Sequence, residues 1–271
     1  MSGRRIGTIA VIAAAIASAQ VCAAPSLFSG IGGNNTSVTP GTANAAMAAF
    51  LAAIGGADNG NSTAVHASGY RKINWDGVPE AQATPNLLPA DYYNGTQPRG
   101  VMLLTPGTGV AVSATTTMAV LNFGNINAIY ESNFGEFSPL RLFAPSESNI
   151  VQVYFYQPGT NLPAMVRGFG AIFNDVELSN TTSIRYFGFD GSDLNNPPGS
   201  FHVAVGSGGQ SEFLGVLFAP TDPPIGHVVI TLGNAALGAG TNESGLIDLV
   251  VMDDIVYAEP RADLIFADGF E

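Results

Sequence analysis

Two adjacent acids, Asp253 and Asp254, lie in the apolar run LVVMDDIVYAEP at residues 249–260. Neighbouring residues of an extended strand face opposite sides of a sheet, and both sides of this run are mainly apolar. At least one carboxylate is therefore expected to be partly buried, where an unpaired charge is costly. Our first interpretation is a structural role, with Arg167, Arg185 or several backbone N–H groups as partners. A bound cation and catalysis are the alternatives.

A second acidic group occurs in the segment FNDVEL at residues 173–178. Asp175 and Glu177 are two residues apart, so on a strand they project from the same side. Ca²⁺ prefers oxygen ligands, although DGSDLNNPPG at residues 190–199 lacks the ligand spacing of an EF-hand loop. The sequence therefore predicts Ca²⁺ in a structural role as the candidate cofactor. The candidate metal ligands are Asp175, Glu177, Asp253 and Asp254.

Aromatic side chains offer a different chemistry, because an exposed ring can stack on a sugar. The alternative is that these rings cover the core or an interface. The candidate ligand-binding residues are Trp75, Tyr92, Tyr93, Tyr154 and Tyr156.

Several familiar catalytic motifs are absent from the sequence. The 3 histidines do not have the H-x-x-x-H spacing of a zinc enzyme, and no G-x-S-x-G nucleophile motif occurs. The only cysteine is Cys22, near the N-terminus. We therefore assign no catalytic residue, and a noncatalytic protein is favoured over an enzyme. Paired carboxylates for glycoside hydrolysis remain the enzymatic alternative.

The charge of the chain restricts its partners. The 271 residues include 9 basic and 21 acidic side chains, which gives a formal net charge of −12. Nucleic acids and anionic membrane surfaces are bound through Lys and Arg, so neither is an expected partner.

The first 23 residues have the pattern of a secretory signal peptide. Arg4 and Arg5 precede an apolar, alanine-rich segment, and small residues follow it near Ala19 and Ala23. We therefore predict export to the extracellular space, the outer cell surface or the periplasm. Cleavage after Ala23 would remove Cys22, so the mature chain would form no disulfide bond. No membrane span is expected in the mature chain.

The remaining chain divides into a lead-in segment at residues 24–64, a β-sandwich domain at 65–260 and a tail at 261–271. Residues 25–38 are rich in Gly, Asn, Ser and Thr and are predicted to be flexible. One helix follows, with Thr39 as its N-cap and Gly55 and Gly56 at its end. Its apolar face consists of Met47, Phe50, Leu51 and Ile54.

The domain at residues 65–260 is predicted to be mainly β. Apolar and alternating segments are separated by Gly, Pro, Asn and Asp clusters, and no helical pattern lies between them. This organisation predicts an antiparallel, jelly-roll-like β-sandwich. The candidate strands are 101–104, 110–114, 119–123, 140–144, 150–157, 165–178, 183–189, 200–205, 212–218, 227–232 and 247–257.

Several phrases together resemble a family of exported bacterial proteins of unknown function, over Thr39 to Pro260. They are INWDGVP (73–79), FSPLRLFAP (137–145), RGFGAIFNDVEL (167–178), FLGV (213–216), NAALG (234–238) and VVMDDIVYAEP (250–260). The second half also resembles lectin-like or carbohydrate-binding jelly rolls. The tail ADLIFADGFE is similar to terminal tails ending in GFE on exported proteins of some Gram-negative bacteria. These resemblances imply an exported β-rich fold and supply no catalytic residue.

The sequence favours an exported noncatalytic binding or surface protein, with an extracellular glycan as the candidate partner. The alternatives are a secreted polysaccharide-active enzyme that uses Asp or Glu, and a structural component of the envelope or matrix. The GFE tail is interpreted either as a sorting signal or as a frayed end. The sequence does not determine the ligand or the oligomeric state.

Overall fold

The computed structural model describes residues 24–115, 121–195 and 199–262. The predicted signal peptide, the last nine residues and part of the strand expected at 119–123 lie outside the described residues. No helix in these ranges is both long and apolar enough to cross a membrane. The helices are α1 (Ala43–Ile54) and α2 (Tyr130–Asn133). The strands are β1 (Ser26–Ile31), β2 (Tyr70–Ile73), β3 (Val101–Leu104), β4 (Gly109–Val112), β5 (Phe143–Ser146), β6 (Ile150–Phe155), β7 (Gly168–Asn174), β8 (Ser183–Phe187), β9 (Phe201–His202), β10 (Ser211–Leu217), β11 (His227–Thr231) and β12 (Val251–Ala258).

These strands form two antiparallel sheets that pack as a sandwich, which confirms the expected fold class. The seven-stranded sheet has the order β1-β10-β7-β12-β5-β4, and β2 also pairs with β12. The five-stranded sheet has the order β3-β6-β11-β8-β9. The main core lies between the two sheets and includes Val153, Phe169 and Tyr257.

The five-stranded sheet has one buried face and one open face. Val151, Val153 and Phe155 on β6 are buried, whereas Gln152 and Tyr154 between them are half-exposed. This alternation follows the period of two that an extended strand requires. Strand β6 therefore contributes Val151, Val153 and Phe155 to the core and presents Gln152 and Tyr154 on the outer surface of the sheet.

The seven-stranded sheet is covered on both faces, which explains why β7 and β12 are buried along their whole length. Helix α1 packs Met47 and Phe50 onto its outer face. The segment between β4 and β5 covers another part of that face with Phe123, Tyr130 and Phe134. Two layers therefore enclose every residue of the central strands, including any acid among them.

Helix α1 begins later than expected. Thr42, and not Thr39, is the N-cap, and its Oγ1 accepts a hydrogen bond from Ala45 N at 3.4 Å. Gly41 has φ +90°, which no right-handed helix can include, so the helix begins beyond it. The end at Gly55, with φ +77°, agrees with the prediction.

Two strands are not among the candidate strands. β1 lies in the segment that was expected to be flexible, and β2 lies ahead of the first candidate strand. β1 pairs with β10 along its length, and β2 pairs with β12. The sequence SLFSGI of β1 has no alternating pattern that would predict a strand, and the strand is stabilised by backbone pairing with a distant segment. Gly30 is required there, since a Cβ would collide with the backbone carbonyl of Thr42.

Candidate functional site

The aspartate pair, Asp253 and Asp254, lies at an irregularity of β12. The register of β12 against β7 shifts between Met252 and Ile255. On its other edge, β12 pairs with β5 at Met252 and with β2 from Ile255 onward. The two acids therefore lie where the strand changes partner. The irregularity breaks the simple alternation of faces and brings both carboxyl groups to one side chain, Ser138.

Asp253 anchors the segment that covers the outer face of the sheet. Its Oδ2 accepts hydrogen bonds from the backbone N–H groups of Phe137 at 2.7 Å and Ser138 at 3.2 Å. The hydroxyl oxygen of Ser138 is 2.9 Å from Oδ1 of Asp253 and 2.9 Å from Oδ1 of Asp254. Backbone N–H groups are thus partners of Asp253, which is one of the alternatives that the sequence left open.

Neither arginine that the sequence suggested is a partner of the aspartate pair. Arg167 donates to the backbone carbonyls of Ala219 and Asp222. Arg185 forms an ion pair with Asp193 at 2.8 Å. The expected ion pair was wrong because Arg167, directly before β7, and Arg185, on β8, find their acceptors in the loops at residues 219–222 and 193, respectively.

Trp75 packs in the main core next to the irregularity of β12. Its indole Nε1 donates to the backbone carbonyl of Asp253, which replaces a hydrogen bond of the interrupted strand ladder. The ring stacks on Phe143 with centroids 4.2 Å apart. Trp75 has φ +64°, a strained value for a bulky residue, so packing and this hydrogen bond must stabilise it.

The surroundings of the aspartate pair disfavour the charged forms of both carboxyl groups. Burial, reinforced by the charge of Asp254, raises the pKa of Asp253 well above its usual range. Burial also raises the pKa of Asp254. Burial and the charge of Asp254 raise the pKa of Asp76 to about 6, while Arg141 opposes this shift and Glu136 adds to it.

Stability should depend on pH through Asp76. Its pKa rises from 3.8 to about 6 on folding, so its contribution is present below pH 3.8 and is lost as pH rises through 6. A shift of this size corresponds to about 3 kcal/mol for a buried group, which partial exposure of Asp76 reduces to about 1 kcal/mol. The melting temperature at pH 4 minus the melting temperature at pH 7 should therefore be larger for the wild type than for Asp76→Asn. Identical pH profiles would contradict this expectation.

Two cavities lie in the described part of the chain, and neither Asp253 nor Asp254 lines them. One cavity, of about 460 Å³, lies beside Ile54, Arg167 and Glu259. The other, of about 280 Å³, lies beside Asn86 and Ile126. The geometry of the pair accordingly supports loop anchoring more directly than it supports contact with a substrate.

A separate group of acids lies near the end of β7, the strand that pairs with β10 on one side and with β12 on the other. We call it the acidic cluster: Asp175, Glu177, Glu212, Glu243 and Asp248. Asp175 follows β7 with φ +76°, which ends the strand. Its Oδ1 accepts a hydrogen bond from Gly209 N at 2.6 Å, whereas its Oδ2 is buried and receives none from an amide, hydroxyl or cationic group.

Glu212 is the most confined member of the acidic cluster. The residue is fully buried, and neither carboxylate oxygen has a hydrogen bond of normal geometry. The loop at residues 206–209 lies directly against these acids. A Cβ at Gly206 would collide with Oε1 of Glu212, and one at Gly208 would lie 2.9 Å from Oε1 of Glu177 and 3.7 Å from Oδ1 of Asp175.

Two further acids organise the chain around these groups. Asp248 accepts hydrogen bonds from Glu177 N at 2.9 Å and from the hydroxyl of Thr181. Glu243 accepts from Leu249 N at 3.0 Å and from the side-chain amide of Asn133 at 3.1 Å. Their oxygens therefore already hold loops in place.

Burial, reinforced by neighbouring acids, favours the neutral forms of Asp175 and Glu212. Burial, with smaller effects from Glu243 and Glu177, raises the pKa of Asp175 to about 8. Burial also raises the pKa of Glu212 to about 9, and the nearby amide of Val176 opposes this only in part. The folded chain consequently concentrates acidic groups that cannot all ionise without a counter-charge.

The four metal-ligand candidates from the sequence do not converge on one point. Asp175 and Glu177 face the loop at residues 206–209, whereas Asp253 and Asp254 meet at Ser138. In the described ranges, no three acidic or histidine side chains are already arranged to hold a metal ion.

Sequence reasoning missed Glu212, Glu243 and Asp248, although a signal existed for two of them. Glu212 is in phase with the inward residues of β10, and Asp248 is in phase with those of β12. An acid in the inward phase at a strand end is unusual, because burial penalises its charge. Glu243 lies in a loop, where periodicity gives no signal.

Three of the five aromatic ligand candidates are buried. Trp75, Tyr92 and Tyr93 are at most 5% exposed, and their rings pack in the main core. This burial contradicts the expectation that these rings are exposed to a ligand. Tyr154 and Tyr156 are half-exposed.

Tyr154 belongs to a row of side chains on the outer face of the five-stranded sheet. Cross-strand register aligns Met102, Tyr154, His227 and Phe187. The Tyr154 and His227 rings stack with centroids 5.2 Å apart, and His227 and Phe187 stack at 4.6 Å. The guanidinium of Arg185 lies 4.9 Å from the Phe187 ring centre. We call this surface the aromatic row.

No family model matches the chain, and no curated protein matches it. The resemblance to exported bacterial proteins therefore remains a hypothesis that rests on the quoted phrases.

Proposed function

We propose that this chain is an exported, noncatalytic binding protein that recognises a neutral glycan on the outer face of its five-stranded sheet. The observation that carries the proposal is the aromatic row, in which three stacked rings cross three adjacent strands. The opposite sheet has its outer face covered by α1 and by the segment before β5. No core cluster among the described residues covers the aromatic row.

The polar groups beside the aromatic row suit hydroxyl-rich ligands. The next cross-strand row contains Leu104, Gln152, Val229 and Arg185. Gln152 accepts a hydrogen bond from the Tyr154 hydroxyl at 3.1 Å, so this pair presents an oriented donor and acceptor set at the surface. Sugars are bound by such combinations of apolar rings and fixed polar groups.

The charge of this surface favours a neutral ligand. Arg185 is paired with Asp193 at 2.8 Å, so its charge is largely compensated. Burial lowers the pKa of His227, which keeps the imidazole neutral at neutral pH. An acidic glycan would also meet an overall negative chain, with a formal net charge of −12.

The stacking of the rings limits how a glycan would bind. The Tyr154, His227 and Phe187 planes lie within 11° of parallel, so the rings cover much of each other's faces. A glycan would therefore contact the outward ring edges, the Tyr154 hydroxyl and the polar row. Binding of this kind is weaker than full face-to-face stacking, and a polymer with repeated contacts is favoured.

The proposal can be tested by measuring binding to neutral polysaccharides. Tyr154→Ala removes the first ring of the row and the hydroxyl that Gln152 accepts. Affinity for the bound polysaccharide should fall at least about tenfold, because surface tyrosines often contribute 1–2 kcal/mol to binding. Depletion assays on insoluble polysaccharide and calorimetry with soluble chains would measure this change.

Tyr70→Ala is the matched control, because Tyr70 is a half-buried tyrosine on β2 of the opposite sheet. It should leave glycan affinity unchanged. No binding of the wild type to any neutral polysaccharide would refute the proposal. Release of reducing ends in the same incubations would instead identify the polysaccharide-active alternative, and self-assembly without ligand would identify the structural alternative.

A further inference from the structure

We propose that the acidic cluster is a Ca²⁺ site, with Asp175, Glu177 and Glu212 as its ligands and with Glu243 and Asp248 holding the surrounding loops. This inference is independent of the glycan proposal, since it concerns the end of the core and not the outer face of the five-stranded sheet. It differs from the expectation based on sequence, because it leaves out Asp253 and Asp254.

The buried oxygens of Glu212 give the strongest support. The side chain is fully buried, and both oxygens lack a hydrogen bond of normal geometry. Oδ2 of Asp175 is also buried and receives no hydrogen bond from an amide, hydroxyl or cationic group, and the carboxyl group of Glu243 is its side-chain neighbour. A buried carboxylate with no donor costs free energy that folding has to offset, unless a proton or a cation compensates it. The aspartate pair shows the contrast, since Asp253 receives two amide hydrogen bonds.

The glycine-rich loop at residues 206–209 is shaped around these acids. The positions of Gly206 and Gly208 leave room for the carboxylates of Glu212 and Glu177, respectively, where a Cβ would be. Gly209 donates its N–H to Asp175 and has φ +68°, which favours glycine. The loop therefore brings backbone close to three carboxylates that come from two parts of the chain, the end of β7 and the start of β10.

Among the described residues, no basic side chain forms an ion pair with a member of the acidic cluster. The ion pairs in the described ranges involve Arg71, Lys72, Arg141 and Arg185, and each pairs with an acid outside the cluster. The charged groups next to Asp175 are Glu243 and Glu177, and those next to Glu212 are Asp175 and Asp248, so all of these neighbours are carboxylates. A divalent cation would relieve this repulsion, because it interacts with several carboxylates at once.

The ligand chemistry favours Ca²⁺ over other divalent ions. All candidate ligand atoms are oxygens, whereas Zn²⁺ in proteins is held mainly by Cys and His. The three carboxylates differ in burial and flexibility, which suits the variable coordination of Ca²⁺ better than the strict octahedron of Mg²⁺. Gln210 Oε1, which accepts from Ser207 N at 3.1 Å, lies on the same loop and could add a further oxygen.

Binding requires small side-chain movements, because the acids are not yet arranged around one point. Glu177 and Gly208 are exposed, so an ion can enter from solvent between them. Rotation of the exposed Glu177 side chain towards Glu212 would close the site behind the ion. The confined Glu212 and the strand end at Asp175 would change little.

The test is Ca²⁺ binding by the purified chain after treatment with a chelator. Calorimetry with CaCl₂ should show saturable binding, and the melting temperature should rise by about 5–10 °C when free Ca²⁺ exceeds Kd about 100-fold. MgCl₂ should produce a clearly smaller shift. Glu212→Gln should abolish the Ca²⁺-dependent shift, and Glu177→Gln should weaken binding at least tenfold.

Asp190→Asn is the control for loss of one negative charge, because Asp190 is an exposed acid in a turn. It should keep the whole Ca²⁺-dependent shift. Absence of binding heat and of a melting shift in the wild type would overturn the proposal, as would a normal shift in Glu212→Gln. An equal shift with Mg²⁺ would overturn the assignment to Ca²⁺. Since Glu177 is exposed, its variant reports on binding even if Glu212→Gln fails to fold.

Discussion

Replacing Glu259 by Gln is expected to lower the free energy of unfolding by about 3–5 kcal/mol, because it leaves the buried guanidinium of Arg71 uncompensated. Arg71 is fully buried on β2 and forms two parallel bonds to Glu259, Nη2 to Oε1 at 2.7 Å and Nε to Oε2 at 2.8 Å. Its Nη1 donates to the carbonyls of Gly60 at 2.8 Å and Pro98 at 3.0 Å. The ion pair thus joins the segments before β2, before β3 and after β12.

Thermal unfolding followed by circular dichroism would measure this loss. The melting temperature should fall by about 6–20 °C, given about 2–4 °C per kcal/mol for a chain of this size. Asp193→Asn, which breaks the exposed ion pair with Arg185, is the control and should cost less than about 1 kcal/mol. Equal losses in the two variants would show that burial does not determine the strength of the Arg71 pair.

The second large effect is expected for Asp253→Ala, at about 2–5 kcal/mol. The change removes the acceptor of the Phe137 and Ser138 backbone N–H groups, which bond to Oδ2 at 2.7 and 3.2 Å. Buried donors left without an acceptor cost about 1–3 kcal/mol each. The segment that covers the outer face of the seven-stranded sheet should also detach more readily, with faster hydrogen exchange in residues 121–142.

Asp253→Asn separates the hydrogen bond from the charge. It keeps one acceptor oxygen and the side-chain volume, and it removes a carboxyl group whose pKa burial already raises. Its stability loss should therefore be much smaller than that of Asp253→Ala, below about 1.5 kcal/mol. If both variants lose the same stability, the ionised carboxylate itself, and not its acceptor role, stabilises the loop.

The architecture was predictable from the sequence wherever a strand was half-buried. Strand β6 alternates between Val and Phe on one side and polar or Tyr residues on the other, and the structure follows that alternation. The helix was also predictable, because apolar residues recur at helical spacing. Its first residue was not, since the conformation of Gly41 is set by the turn that joins β1 to α1.

The sites were less predictable, because side chains that meet in space come from distant parts of the chain. Asp175 and Glu177 were recognisable as an acidic group, yet their neighbour Glu212 belongs to another strand and Glu243 to a loop. The exposure of the aromatic side chains was also undetermined, because residue type alone does not separate the buried Trp75 and Tyr93 from the half-exposed Tyr154.

The sequence by itself determined the fold class, since alternation, turn residues and the lack of helical periodicity are local properties with a direct physical cause. It also indicated that the acids of β12 would be buried, because the residues around them are apolar on both faces. Only the tertiary structure decided which groups compensate each buried acid. Strand pairing and loop closure place Ser138 beside Asp253 and Arg71 beside Glu259, and they leave both oxygens of Glu212 without a hydrogen bond of normal geometry. Long-range contacts of this kind leave no periodic trace in the chain.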